Sequence, residues 1–389
     1  MSIRAFSLAC ALITALPMPL LAQEQPTAER QREAEDIAQR CQHVIANMSF
    51  RGLAPLNDIA CGYLTRDQLY QRMLEQLAEE SSAEQLADDA LLLSHLGLLS
   101  PRLDYHAFIV DLLAEQVIGL YDHNSKELFL VEGQTLASVE EVMSHELFHA
   151  IQDQYFGIDA LRAGGDDNTD LLAARMALIE GDAFAVLFDY ALPFGLSFTD
   201  LPSLEESVRG AMDSAGQAMD QGKLAEAPLH LKQSLLFPYL DGLFFIAAVK
   251  RAGGWPAVDQ VYADPPSSTE QILHPERYLE RDEPTLVSFE LPSSFSTSGR
   301  LVDDNVFGEL SCRLYFEQHA VEQGLALEVN DACEGWEGDR SIAWAWDAPD
   351  HPLSPFVFIQ LSNWENAEDA AQFVNAHLRT WQARFPELS

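Results

Sequence analysis

The sequence predicts an α+β fold that is mostly helical, with a small antiparallel hairpin ahead of a central helix and a small C-terminal α+β domain. Three observations predict it. Apolar residues between about 65 and 116 recur with helical spacing. Around residues 117–133 the period drops to two, in two short β-prone runs. Beyond about residue 305, strand-like runs mix with one last helical stretch. The predicted layout is a leader over 1–22, a helical N-terminal region over 23–106, a core over 107–292, a linker over 293–304 and a C-terminal domain over 305–389. A chain of 389 residues is long enough for several such units.

The start, "MSIRAFSLACALITALPMPLLAQEQP", has the form of an export signal: Arg4 precedes an apolar run, and Ala22 suits the last residue before cleavage. Pro17 and Pro19 interrupt that run, so it is a poor membrane span, and no stable anchor is expected after cleavage. Cys10 lies too early in the run for a lipid-anchor cysteine. Four cysteines remain beyond the leader, and an even number in an exported chain suggests two disulfides. Of the three pairings, Cys41–Cys61 with Cys312–Cys333 is preferred, because each pair stays within one predicted region and closes a short loop. The expected location is the periplasm or the medium.

Residues 23–60 are charged and helix-prone, then turn-like from Pro55 to Gly62. "TRDQ" (65–68) reads as a capping box that opens a helix to about Glu80. Helices are expected at 83–99 and 107–116, where His95 and His106 serve packing or the surface. "VIGLYD" and "ELFLVEG" around "HNSK" read as a hairpin. "SVEE" (138–141) is a second capping box, with Ser138 as N-cap, and opens a helix to about Tyr155. After the loop "RAGGDDNTD" (162–170), "LLAARMALIEGDAFAVLFDYAL" (171–192) is a strongly apolar helix ended by Pro193. Further helices are expected at 203–220, 228–250 and 255–262. "SSFSTSG" (293–299) marks the linker, "SIAWAWD" and "PFVFIQLS" read as strands, and 366–384 as the final helix.

Lys and Arg number 23 against 61 Asp and Glu, a net charge of −38. Such a surface repels nucleic acid and anionic lipid. Nucleic acid is therefore excluded as a partner, and a peptide or protein substrate is expected.

The chemistry centres on "MSHELFHAIQD" (143–153). Residues i and i+4 share one helix face, so His145 and His149 can offer ring nitrogens to one Zn²⁺. Glu146 flanks that position and can take a proton from a water that the metal activates. A catalytic zinc needs a third protein ligand. "AIQDQYF" lacks the Gly-x-x-His continuation, so the ligand must come from elsewhere. Glu180, in "ALIEGDA", stands out because a charge inside an apolar helix is costly unless paired or bound to metal. Gly181 beside it would let another helix approach. Asp182 is the rival ligand, or an outer acceptor for a ligand histidine N–H. Asp153 and Gln152 are read as groups that orient the site or cap the helix.

A His-Glu-x-x-His helix followed by a glutamate on the next helix resembles the gluzincin metallopeptidases, the thermolysin-like clan. The resemblance extends to a group of prokaryotic zinc-peptidase-like proteins through "GLYDHNSKELFLV" (119–131), "HELFHAIQDQ" (145–154), "ALIEGDA" (177–183), "PYLDG" (238–242) and "PPSSTEQILHPERY" (265–278). "GWEGDR" (335–340) also resembles that group, with Glu337 where a glycine is usual. The resemblance implies a gluzincin-like metallopeptidase core holding one Zn²⁺ per chain, with His145, His149 and Glu180 as ligands and Glu146 as base. It implies that the hairpin supplies an edge strand for an extended peptide, and "ELFLV" (127–131) is the candidate. Tyr239 and His274 are candidate donors to the oxyanion. The expected activity is hydrolysis of peptide bonds by an exported zinc peptidase. The alternatives are a non-catalytic, zinc-stabilised periplasmic binding protein and a zinc hydrolase of non-peptide amides.

Overall fold

The computed structural model describes residues 28–132, 139–162, 168–193, 195–210, 223–291, 299–346 and 355–388. The predicted leader, the N-cap Ser138, most of the glycine-rich loop, the end of the helix expected at 203–220 and the first half of the linker lie outside the described residues. Helices dominate, and the strands form two three-stranded sheets. This is the mostly helical α+β class that the sequence predicts. No helix among the described residues is long and apolar enough to cross a membrane.

Helix α1 (Ala28–Asn47) leads into a single 3₁₀ turn, Ser49–Arg51, which ends at Gly52 in the left-handed region. Strand β1 (Ala60–Leu64) follows, in part of the segment that the sequence reads as a turn. The strand forms by pairing with a segment far along the chain, which local periodicity does not report. The box at Thr65 and Gln68 opens α2 (Arg66–Glu80), and a second box, Ser82 with Gln85, opens α3 (Ala83–Leu96). Asp104 caps α4 (Tyr105–Gln116).

The hairpin of β2 (Gly119–Asp122) and β3 (Glu127–Val131) forms as predicted. Asp122 fixes its turn by accepting from the Asn124 and Ser125 amides at 2.9 and 3.2 Å. The sheet order is β1-β3-β2. Leu128 of β3 lies opposite Cys61 in the parallel pair and opposite Tyr121 in the antiparallel pair. The expectation that "ELFLV" is an open edge is therefore corrected. Its main-chain groups are engaged on both sides, because β1 returns to cover the side that the hairpin leaves free.

Helix α5 (Val139–Phe156) carries the His-Glu-x-x-His and is buried without a break from Met143 to Gln152. Asn168 caps α6 (Thr169–Ala191). Helix α7 (Leu229–Val261) bends at Gly253 and Gly254, which joins the two helices predicted at 228–250 and 255–262. Helices α6 and α7 cross where Gly181 meets Gly242. A Cβ on Gly181 would overlap the Gly242 carbonyl group, and one on Gly242 would overlap the Ala177 carbonyl oxygen. The close approach expected at Gly181 is thus made by the glycine of "PYLDG".

Two short helices follow, α8 (Thr269–Leu273) and α9 (Pro275–Glu280). Then come β4 (Arg300–Asn305), α10 (Gly308–Gln323), α11 (Val329–Cys333), β5 (Trp336–Ala345), β6 (Phe356–Trp364) and α12 (Ala367–Arg384). The second sheet is antiparallel in the order β4-β5-β6. The disulfides are Cys41–Cys61 and Cys312–Cys333, the preferred pairing, and they fit an oxidising compartment. One cluster of buried apolar side chains extends from Leu64 to Ala376 and draws on all three predicted regions.

A group of buried acids ties the C-terminal elements to α6. Asp339, of "GWEGDR", accepts from the Phe307 and Gly308 amides at 2.7 and 3.1 Å and from Trp336 Nε1 at 2.8 Å. These amides open α10, where a carboxylate is favoured by the helix dipole. Asp170, at the start of α6, accepts from the Thr269 amide at 3.0 Å and from its hydroxyl. The Thr269 hydroxyl in turn accepts from Leu310 N at 3.0 Å. The "STEQ" segment therefore joins α6 to α10. Burial, followed by the charge of Glu309, pushes the Glu270 carboxyl up to about 8.

Two predictions follow from this packing. Gly242→Ala must separate α6 from α7 or distort both, and should cost about 3 kcal/mol in thermal or urea unfolding, in the upper range for overpacking; an unchanged melting temperature would contradict the close crossing. Glu270 stays protonated in the fold up to about pH 8, whereas its ordinary value is 4.5. Its contribution is thus full below the ordinary value and lost as pH rises towards 8. Glu270→Gln cannot ionise, so between these limits the variant should lose roughly 2–4 kcal/mol less stability than the parent. Parallel stability–pH curves would refute this assignment.

Candidate metal centre

The site is assembled from two neighbouring helices. On α5, His145 and His149 lie one turn apart, with rings edge to face and centroids 4.5 Å apart. On α6, Glu180 projects between them. Glu180 Oε2 lies 3.2 Å from His145 Nε2 and 3.4 Å from His149 Nε2, and the two Nε2 atoms are 3.0 Å apart. All three side chains are buried. Among the described residues this is the group of His, Cys, Asp or Glu whose donor atoms converge closely enough to hold a metal ion.

The spacing tests the fit. Three donors at zinc–ligand distances of about 2.05 Å in tetrahedral geometry lie about 3.3 Å from one another. The three separations observed, 3.0, 3.2 and 3.4 Å, bracket that value. Two imidazole nitrogens and one carboxylate oxygen also form a usual catalytic donor set for zinc. The residues thus fit a divalent ion, with His145, His149 and Glu180 holding it.

The electrostatics fit as well. Burial opposes ionisation of Glu180, but the attraction of His149 and the close approach of both imidazoles outweigh it and hold the carboxyl down to about 2. Burial likewise opposes charge on His149, yet Glu180 raises it to about 9. The carboxylate is therefore ionised and the pocket is set to hold positive charge.

Glu146 sits on the same helix, 5% exposed, and its Oε2 accepts from the Tyr121 amide of β2 at 3.0 Å. The first sheet thus serves the site by fixing the candidate base. Gly119 makes room for it, because a Cβ there would press on Glu146 Cγ at 3.0 Å and Val142 Cγ1 at 2.9 Å. Burial raises the Glu146 carboxyl above its ordinary range.

The remaining predicted residues separate. Tyr239 is half-buried beside the site, its ring 6.0 Å from that of His145 and 5.9 Å from that of Phe184. His274 lies in the acid cluster instead. Its Nε2 is 3.0 Å from Glu309 Oε1 and 3.2 Å from Arg313 Nη2. Asp153 accepts from the Tyr121 hydroxyl at 2.9 Å and from Lys126 Nζ at 2.5 Å, so it braces the hairpin against α5. Asp182 does not point at the donor cluster. It is fully buried against Arg51 and Tyr262. The direct acceptor for His149 Nδ1 is Gln152, whose Oε1 lies 2.7 Å away.

Sequence reasoning missed Arg51 and Tyr262. Gln152 follows His149 at helical i+3 spacing, which is a usable signal. Arg51 and Tyr262 lie in other elements with no local mark.

A family model described as a domain of unknown function, DUF8575, matches residues 296–387, the C-terminal part beyond the metal centre. No curated protein matches the chain. Among solved structures, a Chloroflexus aurantiacus protein described as a "putative hydrolase with a novel fold" is similar over 72% of this chain and 97% of its own, with a TM-score of 0.41 and 16% identity.

Proposed function

We propose that this chain is an exported zinc metallopeptidase of gluzincin type, with Glu146 as its general base. The observation that carries the reading is the convergence of His145, His149 and Glu180 at tetrahedral spacing with Glu146 buried on the same helix. A bound divalent ion supplies Lewis acidity there, activating water near neutral pH and polarising a carbonyl. The chain's own residues do the rest. Glu146 takes the proton of the attacking water and passes it to the leaving nitrogen. Its raised pKa makes it the stronger base, and the Tyr121 amide holds one carboxylate oxygen so that the other can face the substrate.

Tyr239, whose ring lies 6.0 Å from that of His145, is the candidate donor to the carbonyl oxygen of a substrate. His274 takes no part in this scheme, since its ring pairs with Glu309 and Arg313. Phe184, Phe188 and Tyr239 form a half-buried aromatic wall beside the donors, which suits an apolar side chain of a peptide. Two disulfides and the leader-like start support export to the periplasm or the medium.

Metal analysis of the purified full chain should find one zinc per chain, and Glu180→Ala should lower zinc affinity at least about ten-fold. Parental affinity in that variant would remove Glu180 from the ligand set. Glu146→Gln should retain zinc and lose about 10²–10⁴-fold in peptide hydrolysis. Full activity of this variant on a peptide library would sink the mechanism. A zinc-loaded parent that cleaves small amides but no peptide would favour the amide hydrolase, and one that cleaves neither would favour the binding protein.

A further inference from the structure

Behind His149 a line of hydrogen bonds runs inward through buried groups. His149 Nδ1 lies 2.7 Å from Gln152 Oε1. Gln152 Nε2 donates to the Tyr262 oxygen at 2.7 Å and to the Ile179 carbonyl at 2.9 Å. The Tyr262 hydroxyl donates to Asp182 Oδ2 at 2.8 Å. Arg51 donates from Nε and Nη2 to the two Asp182 oxygens at 3.2 and 2.9 Å, and its Nη2 forms an ion pair with Asp259 Oδ1 at 2.8 Å. Arg51, Gln152 and Asp182 are all within 1% of complete burial.

The direction of every bond in this line follows from its inner end. A guanidinium can only donate, so both Asp182 oxygens act as acceptors. The single proton of Tyr262 is then committed to Asp182, and its oxygen must accept from the Gln152 amide. Both donors on that nitrogen are used by Tyr262 and Ile179, so Gln152 turns its carbonyl oxygen to His149 and can only accept. His149 must therefore carry a proton on Nδ1, so the ring nitrogen left to take a metal is Nε2, which faces Glu180 and His145.

We propose that Arg51, in the N-terminal part of the chain, is a positioning residue of the metal centre: through Asp182, Tyr262 and Gln152 it holds His149 in the tautomer that binds a metal. The inference rests on the metal reading above. Arg51 is itself held from several sides. Its guanidinium carbon lies 5.1 Å from the Phe148 ring centroid and 4.4 Å from that of Trp255. The Cys41–Cys61 disulfide brackets the turn that carries it. Outer partners of metal-bound histidines generally fix ring orientation and raise ligand basicity.

The test is zinc affinity, measured by competition with a chromophoric chelator on the full-length parent, Tyr262→Phe and His149→Ala. Tyr262→Phe keeps the ring and removes the link that dictates how Gln152 is turned. Its zinc affinity should fall about ten-fold or more. In the zinc-loaded variant the His149 Nδ1–H proton resonance should move upfield, because its acceptor is no longer fixed. A role in packing alone would lower the melting temperature but leave the affinity of the folded variant within two-fold and the resonance in place, and that result overturns the proposal. Arg51→Met should give the same loss of affinity if it folds; should it fail to fold, Tyr262→Phe decides alone. A parent that binds zinc no better than His149→Ala overturns the metal reading and this inference with it, whereas a zinc-binding parent with an unaffected Tyr262→Phe overturns the relay only.

Discussion

The middle of helix α6 carries two carboxylates, Glu180 and Asp182, into the buried interior, and much of the structure is arranged to meet them. A buried carboxylate without compensation is prohibitively costly. Glu180 is met by the two histidines of α5, and Asp182 by the guanidinium of Arg51. The residues two apart point to different partners, which sets α6 between α5 on one side and the N-terminal turn on the other. The Gly181–Gly242 crossing then lets α7 close over the same stretch. Three elements far apart in sequence are thereby fixed around one segment of seven residues, "ALIEGDA".

A second set of acids does for the C-terminal part what the first does for the core. Asp339 caps α10, Asp170 holds Thr269, and Glu309 holds His274 and Arg313. The two motifs "STEQILHP" and "GWEGDR" meet here, at the foot of α6, away from the donor cluster. Their polar side chains pair with one another and with the starts of α6 and α10. The reading of His274 as an oxyanion donor relied on residue type alone, and the same imidazole is equally suited to joining a buried carboxylate.

The helix-period patterns, the hairpin, the two disulfides and the candidate ligand Glu180 are all legible in the chain. Each rests on local information: spacing of three or four, a change of period, a charge inside an apolar run, short loops between cysteines. What escaped depends on contacts between distant residues. Strand β1 exists because β3 accepts it. The central place of "ELFLV" follows from that same pairing. Arg51 is one of several arginines in the sequence and acquires its meaning only when the turn Ser49–Arg51 lies against Phe148 and Trp255. Gln152 was marked by its spacing from His149, yet its orientation depends on Tyr262, far along the chain.

The place of β1 has one more consequence. A strand left open at the side of a sheet offers unpaired amides to any other extended chain, which is how fibre-like association between molecules begins. Here the open side of β3 is covered by β1, and Cys61 of β1, opposite Leu128, is covalently fastened to Cys41 of α1. The cover cannot peel away from α1 while that bond is intact. The cystine thereby acts as a safeguard against self-association, guarding "ELFLV", an apolar strand whose amides would otherwise be open to other chains.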